Sequence, residues 1–451
     1  VRILAEMESI GVPFNSDVYR AALEPMQKRL VYLTEKAFKQ AGGFSFNLST
    51  TADCSRALFS KLQLKPIPGS RTKTGVFSTS KENLEQLGQQ HPLPKTILEH
   101  RQLSRLMATM RTALPEHEAQ CASQIMVSCS IQKSRGKVVA MSRIKGTFLQ
   151  TSSASGRICM DGPNLQCVPN PKEIAIGANS QSQDNSGQQK VLIVNPREAF
   201  KTIEEYVILT ADYAQLELRI MAHFSSDPIL LSCIEGGQDF FKTLAAGWRN
   251  VDLDSVTPEM RTKAKRLAYG ILYGMGARAL AGELDCDMET ARAEMETFKA
   301  RLGGVAKWMA GIVRDVEKHG YIQTLGGRKR YFEDFRESVR AKRQISPDHR
   351  AAVERKAINT VCQGSAADIV KRAMIAIRDG IRSDLTLRDR CHMILEIHDE
   401  LMFEVRCSSL VRASSLVREC MVQAWKGLQV PLAVRMKVGQ SWGEATDYAP
   451  S

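Results

Sequence analysis

The order of apolar and polar residues changes character several times along the 451-residue chain. From residue 1 to about 115, apolar positions recur every three or four residues, as in YRAALEPMQKRLVYLTEKAFKQ, and the runs stop at AGG, IPGS and HPLP. This spacing predicts helices joined by turns. From about 125 to 170 the pattern becomes strand-like, in QIMVSCSIQ and GKVVAMSRI, and passes into a Ser-rich turn at TSSASGR. Residues 172 to 190, KEIAIGANSQSQDNSGQQK, carry few large apolar groups and read as a mobile loop or insertion. The strand EYVILTAD follows, then helical periodicity from about 228 to 318 and a strongly basic stretch to Lys356. A helix through RAAVERKAINTVCQGSAADIVKRAMIAI leads into MILEIHDELMFEV, and LAVRMKVGQSW closes the chain as another alternating strand. Strands at 125–212 and 393–438 thus enclose a helical block, and one sheet with a helical insertion is the economical arrangement.

Composition narrows the class. The length suits two to four domains, and 43% hydrophobic content is enough for real cores. Lys plus Arg exceed Asp plus Glu by 62 to 49, giving a net charge of +13 and a pI near 9.2. Such a balance suits a polyanionic partner such as nucleic acid, or simply a basic soluble surface. Eleven cysteines are scattered singly with no Cys-x-x-Cys pair, which argues against a zinc site or a disulfide framework and suits a reducing compartment. No apolar run approaches the length of a membrane span. The chain opens at Val1 directly in VRILAEMESIGVPF, as a fragment of something longer would, with any upstream domain or targeting signal out of view.

Candidate chemistry sits where polar groups interrupt apolar frames. In MILEIHDELMFEV the cluster His398, Asp399 and Glu400 breaks a strand, and in YVILTAD a strand delivers Asp212 at its end. Two strands of one sheet would bring these carboxylates together, where they repel unless cations sit between them, and hard oxygen ligands suit Mg²⁺. The same residues also suit a solvated hairpin turn and an N-cap. In RTKAKRLAYGILYGMG, Arg261, Lys265, Tyr269 and Tyr273 recur at intervals of four. Successive members turn only about 40° around a helix, so two cations and a ring form a stripe suited to a triphosphate and then a sugar or base. A solvated basic face with half-buried tyrosines has the same spacing.

DYAQLELR, RTKAKRLAYGILYGMG and EIHDELMFEV resemble, in order and spacing, motifs A, B and C of the family A DNA polymerases. TSSASGRICMDGPNLQCVP is similar to the family's TGR and PNLQN segment, ERKAINTVCQGSAADIVKRAM to its helix before motif C, and LAEMESIGVPF and PLPKTILEHRQLSRL to the entry to its thumb. Within the family, AAGWRNVD, ILYGMGARAL and GYIQTLGGRKRYF look most like the theta subgroup, with nu next.

The resemblance implies an α/β (α+β) right-hand fold with an antiparallel-sheet palm, helical fingers and a helical thumb. Its parts would be a remnant of an upstream exonuclease-like region (1–14), thumb (15–118), palm (119–227, with the insertion 172–190), fingers (228–350) and palm again (351–451). It implies a template-directed DNA polymerase that works on primer-template DNA with dNTPs, uses two Mg²⁺ ions or Mn²⁺ in their place, and serves in repair in the nucleus. A helicase or exonuclease-like domain would lie upstream, and no acidic exonuclease set precedes the thumb here. Asp212, Asp399 and the main-chain carbonyl of Tyr213 would hold the metals, with Glu400 in support. Arg261 and Lys265 would hold the triphosphate, Tyr269 the sugar, Tyr273 the neighbourhood of the templating base, and Gln215 the nucleotide. Glu217 would be the gate against a 2′-hydroxyl. Arg157, Gln166, Arg355, Asn359, Gln363 and His398 would touch primer and template. Ser155, Cys159 and Cys167 depart from the usual Thr, Ser or Thr, and Asn. A silent DNA-binding scaffold and a single-subunit RNA polymerase relative are the alternatives.

Overall fold

A computed structural model describes residues 1–67, 70–72, 75–113, 128–134, 137–176, 190–236, 239–272, 274–284 and 286–449. Val12–Phe14 (β1), Ser128–Ser134 (β2) and Lys137–Ile144 (β3) form a three-stranded sheet in the order β1, β3, β2. Thr147–Leu149 (β4) pairs with Cys159–Asp161 (β5), and Lys172–Ile176 (β6) with Lys190–Val194 (β7). The central sheet begins with Tyr206–Tyr213 (β8), and Tyr321–Gln323 (β9) and Lys329–Tyr331 (β10) make a separate hairpin. Cys391–Ile397 (β11), Glu400–Arg406 (β12), Val434–Gly439 (β13) and Thr446–Asp447 (β14) complete a five-stranded antiparallel sheet in the order β11, β12, β8, β13, β14.

The expected single sheet is therefore corrected. β3 has β1 on one edge and β2 on the other, and β8 lies between β12 and β13, so neither keeps an edge with which to join the other. Among the described residues up to Ala113 the mostly helical reading holds, apart from β1 and an isolated bridge between Arg71 and Phe77. The segment 172–190 has paired strands at its two ends, and residues 177–189 lie outside the described residues.

In β8 the run Ile208, Leu209, Thr210, Ala211 is buried on both faces, as happens when helices cover a sheet on each side. Leu395, Leu401 and Phe403 of the sheet share one core with Ile369, Val370 and Ile377 of the helix Pro347–Ser383 and with Val417 and Met421 of the helix Leu410–Val422. That 37-residue helix starts well: Ser346 accepts the His349 N–H and Pro347 stands at the first turn. At 1.5 Å per residue it runs about 55 Å, long enough to link the sheet to a second cluster around Val353, Ile358 and Ile322. The helical block has its own core of Phe240, Leu244, Trp248, Leu267 and Phe298, and residues 37–97 another around Leu58, Leu84 and Ile97.

Candidate active site

Antiparallel register brings the predicted carboxylates to one place. Asp212 pairs with Glu400 on one side and with Arg435 on the other, and the Tyr213 N–H donates to the Asp399 carbonyl at 3.2 Å. Directly opposed residues lie roughly 5 Å apart at Cα, so carboxylates 187 positions apart in sequence sit on neighbouring strand ends. His398 and Asp399 form a two-residue hairpin loop between Ile397 and Glu400, with His398 at φ +63°. The hairpin-turn reading of this stretch is thus correct in backbone terms, and Asp399 is half-buried in it. A positive φ on a residue with a Cβ costs about 1 kcal/mol or more and persists only where its surroundings impose it. The N-cap reading of Asp212 does not hold: Asp212 lies inside β8, and Gln215, at φ +50°, is the residue that opens the helix Leu216–Ser225.

Loss of hydration, then the charges of Asp399 and Glu400, push the Asp212 carboxyl up to about 7 against the pull of Arg435 and Lys437, while Asp212 keeps solvent on one flank. Burial, reinforced by Glu217 and Glu400, pushes Asp399 up to about 6 despite Arg157. Among the described residues neither aspartate has an ion-pair partner within bonding distance, and the nearby cations Arg435, Lys437 and Arg157 offset their shared negative charge only in part. Two desolvated, mutually repelling carboxylates suit a divalent cation with hard-oxygen preference. No group of three His, Cys, Asp or Glu among the described residues has metal-holding spacing, so two aspartates would leave the remaining positions to main chain, water and substrate. Glu400 lies directly opposite Asp212 in the register. Burial raises it, while Arg197 and hydrogen bonds with Thr210 and Trp442 hold it from the side. Beside Asp212 and Glu400 opens a cavity of about 850 Å³ whose wall carries Arg197, Arg418, Arg435 and Lys437.

The helix Pro258–Leu272 presents its stripe as the spacing predicts. The Arg261 guanidinium, the Lys265 ammonium and the Tyr269 ring lie 5.9, 5.7 and 5.8 Å from the ring centre of Phe241. Arg261 Nε also donates to Asp239 at 2.9 Å, and Asp239 caps the helix Phe240–Arg249 by accepting the Lys242 N–H. Sequence reasoning missed Asp239 and Phe241; the cap signal DFF was there to be read. Desolvation, then Glu217, Asp399 and Asp212, raise the Tyr269 hydroxyl, which ties this stripe to the carboxylates. Tyr273 lies outside the described residues.

Glu217, in the first turn of Leu216–Ser225, is 5% exposed and ion-paired with Arg157. The Arg157 loop is pinned from below: Arg328 donates to Asp368 at 2.6 Å and to the Ser155 carbonyl at 2.8 Å, and Lys371 donates to the Gly156 carbonyl at 2.6 Å. A Cβ at Gly156, φ +81°, would lie 2.3 Å from Arg328, so that position needs glycine. The Gln166 amide points inward, donating to the Ile158 carbonyl and to the Glu396 carbonyl and carboxyl, each at 3.0 Å. Arg355, Asn359 and Gln363 follow one face of the long helix, half-buried, and Asn359 Oδ1 has no hydrogen-bond partner among the described residues. His398 is exposed at the turn.

The model of DNA polymerase family A matches residues 16–444. The chain is 33% identical over 444 residues to the thermostable DNA polymerase I of Thermus filiformis, covering 98% of this chain and 47% of that protein. It is 30% identical to DNA polymerase theta of Mus musculus, covering 99% of this chain and 20% of that one. The solved POL domain of Pol1 from M. smegmatis, in complex with DNA primer-template and dNTP, superposes with a TM-score of 0.78 at 33% identity, covering 98% of this chain and 69% of its own. This chain belongs to DNA polymerase family A. It has that family's mixed fold, built on an antiparallel sheet, and spans about half the length of the bacterial relatives.

Proposed function

We propose that this chain is a template-directed DNA polymerase that adds deoxyribonucleotides to a primer 3′-hydroxyl by two-metal nucleotidyl transfer. One observation carries the reading: the strand register that sets Asp212 beside Asp399 and Glu400. Asp212 and Asp399, with the Tyr213 carbonyl, would hold divalent ions, whose chemistry is to acidify the primer hydroxyl and neutralise the leaving pyrophosphate. Arg261 exchanges Asp239 for the triphosphate and grips it, while Lys265 supplies a point charge and is placed to protonate pyrophosphate. Tyr269, backed by Phe241, packs on the sugar, with Gln215 and Tyr273 nearby in role. Glu217, buried and held by Arg157, fills the space a 2′-hydroxyl would need, which favours DNA synthesis over RNA synthesis. Arg157, Gln166, Arg355, Asn359, Gln363 and His398 contact primer and template by shape, leaving sequence to base pairing.

In this reading residues 15–118 are the thumb, 119–227 and 351–451 the palm, and 228–350 the fingers. Residues 1–14 are the upstream remnant, joined to the palm through β1 and β3. A repair role and a nuclear location belong to the same proposal and rest on the resemblance of AAGWRNVD, ILYGMGARAL and GYIQTLGGRKRYF to the theta subgroup.

Primer extension tests the reading. Asp399→Ala should lower the rate by roughly 10³-fold or more, the worth of several kcal/mol of charge stabilisation, with DNA affinity retained. Equal loss of both removes the metal role, and a wild-type protein that binds DNA without extending it is the scaffold.

A further inference from the structure

Between Lys318 and Phe332 the chain holds four Lys or Arg residues, one His, two Tyr and one Phe, and no Asp or Glu. The β9–β10 hairpin sorts them onto two faces. Its register pairs Gln323 with Lys329, Ile322 with Arg330 and Tyr321 with Tyr331. Side chains alternate along a strand, so Ile322 and Arg330 share one face and Tyr321, Gln323, Lys329 and Tyr331 share the other.

The first face is turned inward. Ile322 is buried, and Arg330 donates to Thr360 Oγ1 at 2.7 Å, on the long helix that also carries Arg355, Asn359 and Gln363. The second face is turned outward: Tyr331 is 60% exposed, Gln323 and Lys329 are exposed, and Tyr321 is half-buried. The two tyrosine rings stand 5.8 Å apart, the Lys329 ammonium is 4.4 Å from the Tyr321 ring centre, and the His319 ring lies 6.1 Å from Tyr321. The hairpin is a fixed surface, because Arg328 at its turn is anchored to Asp368, Ser155 and Gly364.

Aromatic rings bordered by cations, with no carboxylate among them, are the chemistry that receives unpaired nucleotides. Bases stack on the rings and phosphates meet the positive rim. Duplex DNA hides its base faces, so this surface gains from a single strand what a double strand withholds.

We propose that the outward face of the β9–β10 hairpin is a stacking platform for single-stranded DNA, specifically the stretch of template not yet copied. Which strand it holds rests on the polymerase reading; the stacking chemistry does not.

The test uses fluorescence anisotropy with three labelled probes: an oligo-dT of about ten nucleotides, and primer-templates with either a one-nucleotide template overhang or one of about ten. Tyr331→Ala should weaken binding of oligo-dT and of the long-overhang probe about fivefold or more, the low end for one stacked base, and leave the short-overhang probe unchanged. Tyr331→Phe should retain wild-type affinity, since it keeps the ring. Lys329→Ala should weaken the same two probes and reduce their salt slope by about one. The platform is overturned if Tyr331→Ala binds oligo-dT like the wild type, or if it loses as much affinity on the short overhang as on the long one. A protein that extends no primer yet shows the Tyr331-dependent loss on oligo-dT keeps the platform and drops the polymerase reading.

Discussion

Glu396 offers a quantitative test of how the site is packed. It lies on β11 between Leu395 and Ile397, is 2% exposed, and its carboxyl accepts one hydrogen bond, from Gln166. Burial pushes its pKa from an ordinary 4.5 up to about 8, although Arg157 and Lys371 pull the other way. The folded protein therefore holds this carboxyl protonated at neutral pH, while the unfolded chain holds it ionised. A group whose folded pKa lies above its unfolded value binds its proton more tightly in the folded state. Its contribution is thus most favourable below 4.5 and declines as pH rises towards 8. From 4.5 to neutrality, at 1.36 kcal/mol per pH unit, the decline reaches about 3 kcal/mol. Glu396→Gln preserves shape and an acceptor for Gln166 without a titrating proton. The variant should be more stable than the wild type by about 3 kcal/mol near pH 7, which is ~3 °C in Tm for a chain of this size. Unfolding curves of both proteins from about pH 5 to about pH 9 make the measurement, and the gap should widen with pH. Parallel curves across that window, or a variant less stable than the wild type at the alkaline end, refute the reasoning.

Glu217→Ala should raise ribonucleotide incorporation and also destabilise the protein by roughly 1–3 kcal/mol, because Arg157 loses its buried partner; unchanged dNTP over rNTP preference removes the gate role. Mg²⁺ at about a hundredfold over its dissociation constant should stabilise the protein by about 2.7 kcal/mol. That gain should grow as pH rises through 6 and 7, where Asp399 and Asp212 ionise, and thermal shifts should show it vanish in Asp399→Asn. Arg143→Met should cost about 3–5 kcal/mol in urea unfolding, since it strands the fully buried Glu404 with Thr202 as its one remaining side-chain partner among the described residues, and adding Glu404→Gln should recover part of the loss.

What could be read from the linear chain was whatever depends on neighbours a few residues apart. The 3.6-residue periodicity of Pro258–Leu272 and Pro347–Ser383, the apolar frame of β8 and the acidic break in MILEIHDELMFEV are local, and each element formed where its pattern lay. The residue types at Asp212, Asp399, Arg261 and Lys265 are also local, and they made these positions candidates for metal and phosphate chemistry. Partnership was a different matter. Nothing local told β3 to take β1 and β2 and leave β8 alone, because edge pairing is settled by which strands the whole chain brings alongside. The Arg157–Glu217 pair spans 60 positions, Phe241 lies outside the helix it supports, and Arg435 reaches Asp212 only through register. Proximity, burial and the resulting shifts in proton affinity are properties of through-space distance in a poorly polarisable interior, and distance exists only once the chain has folded.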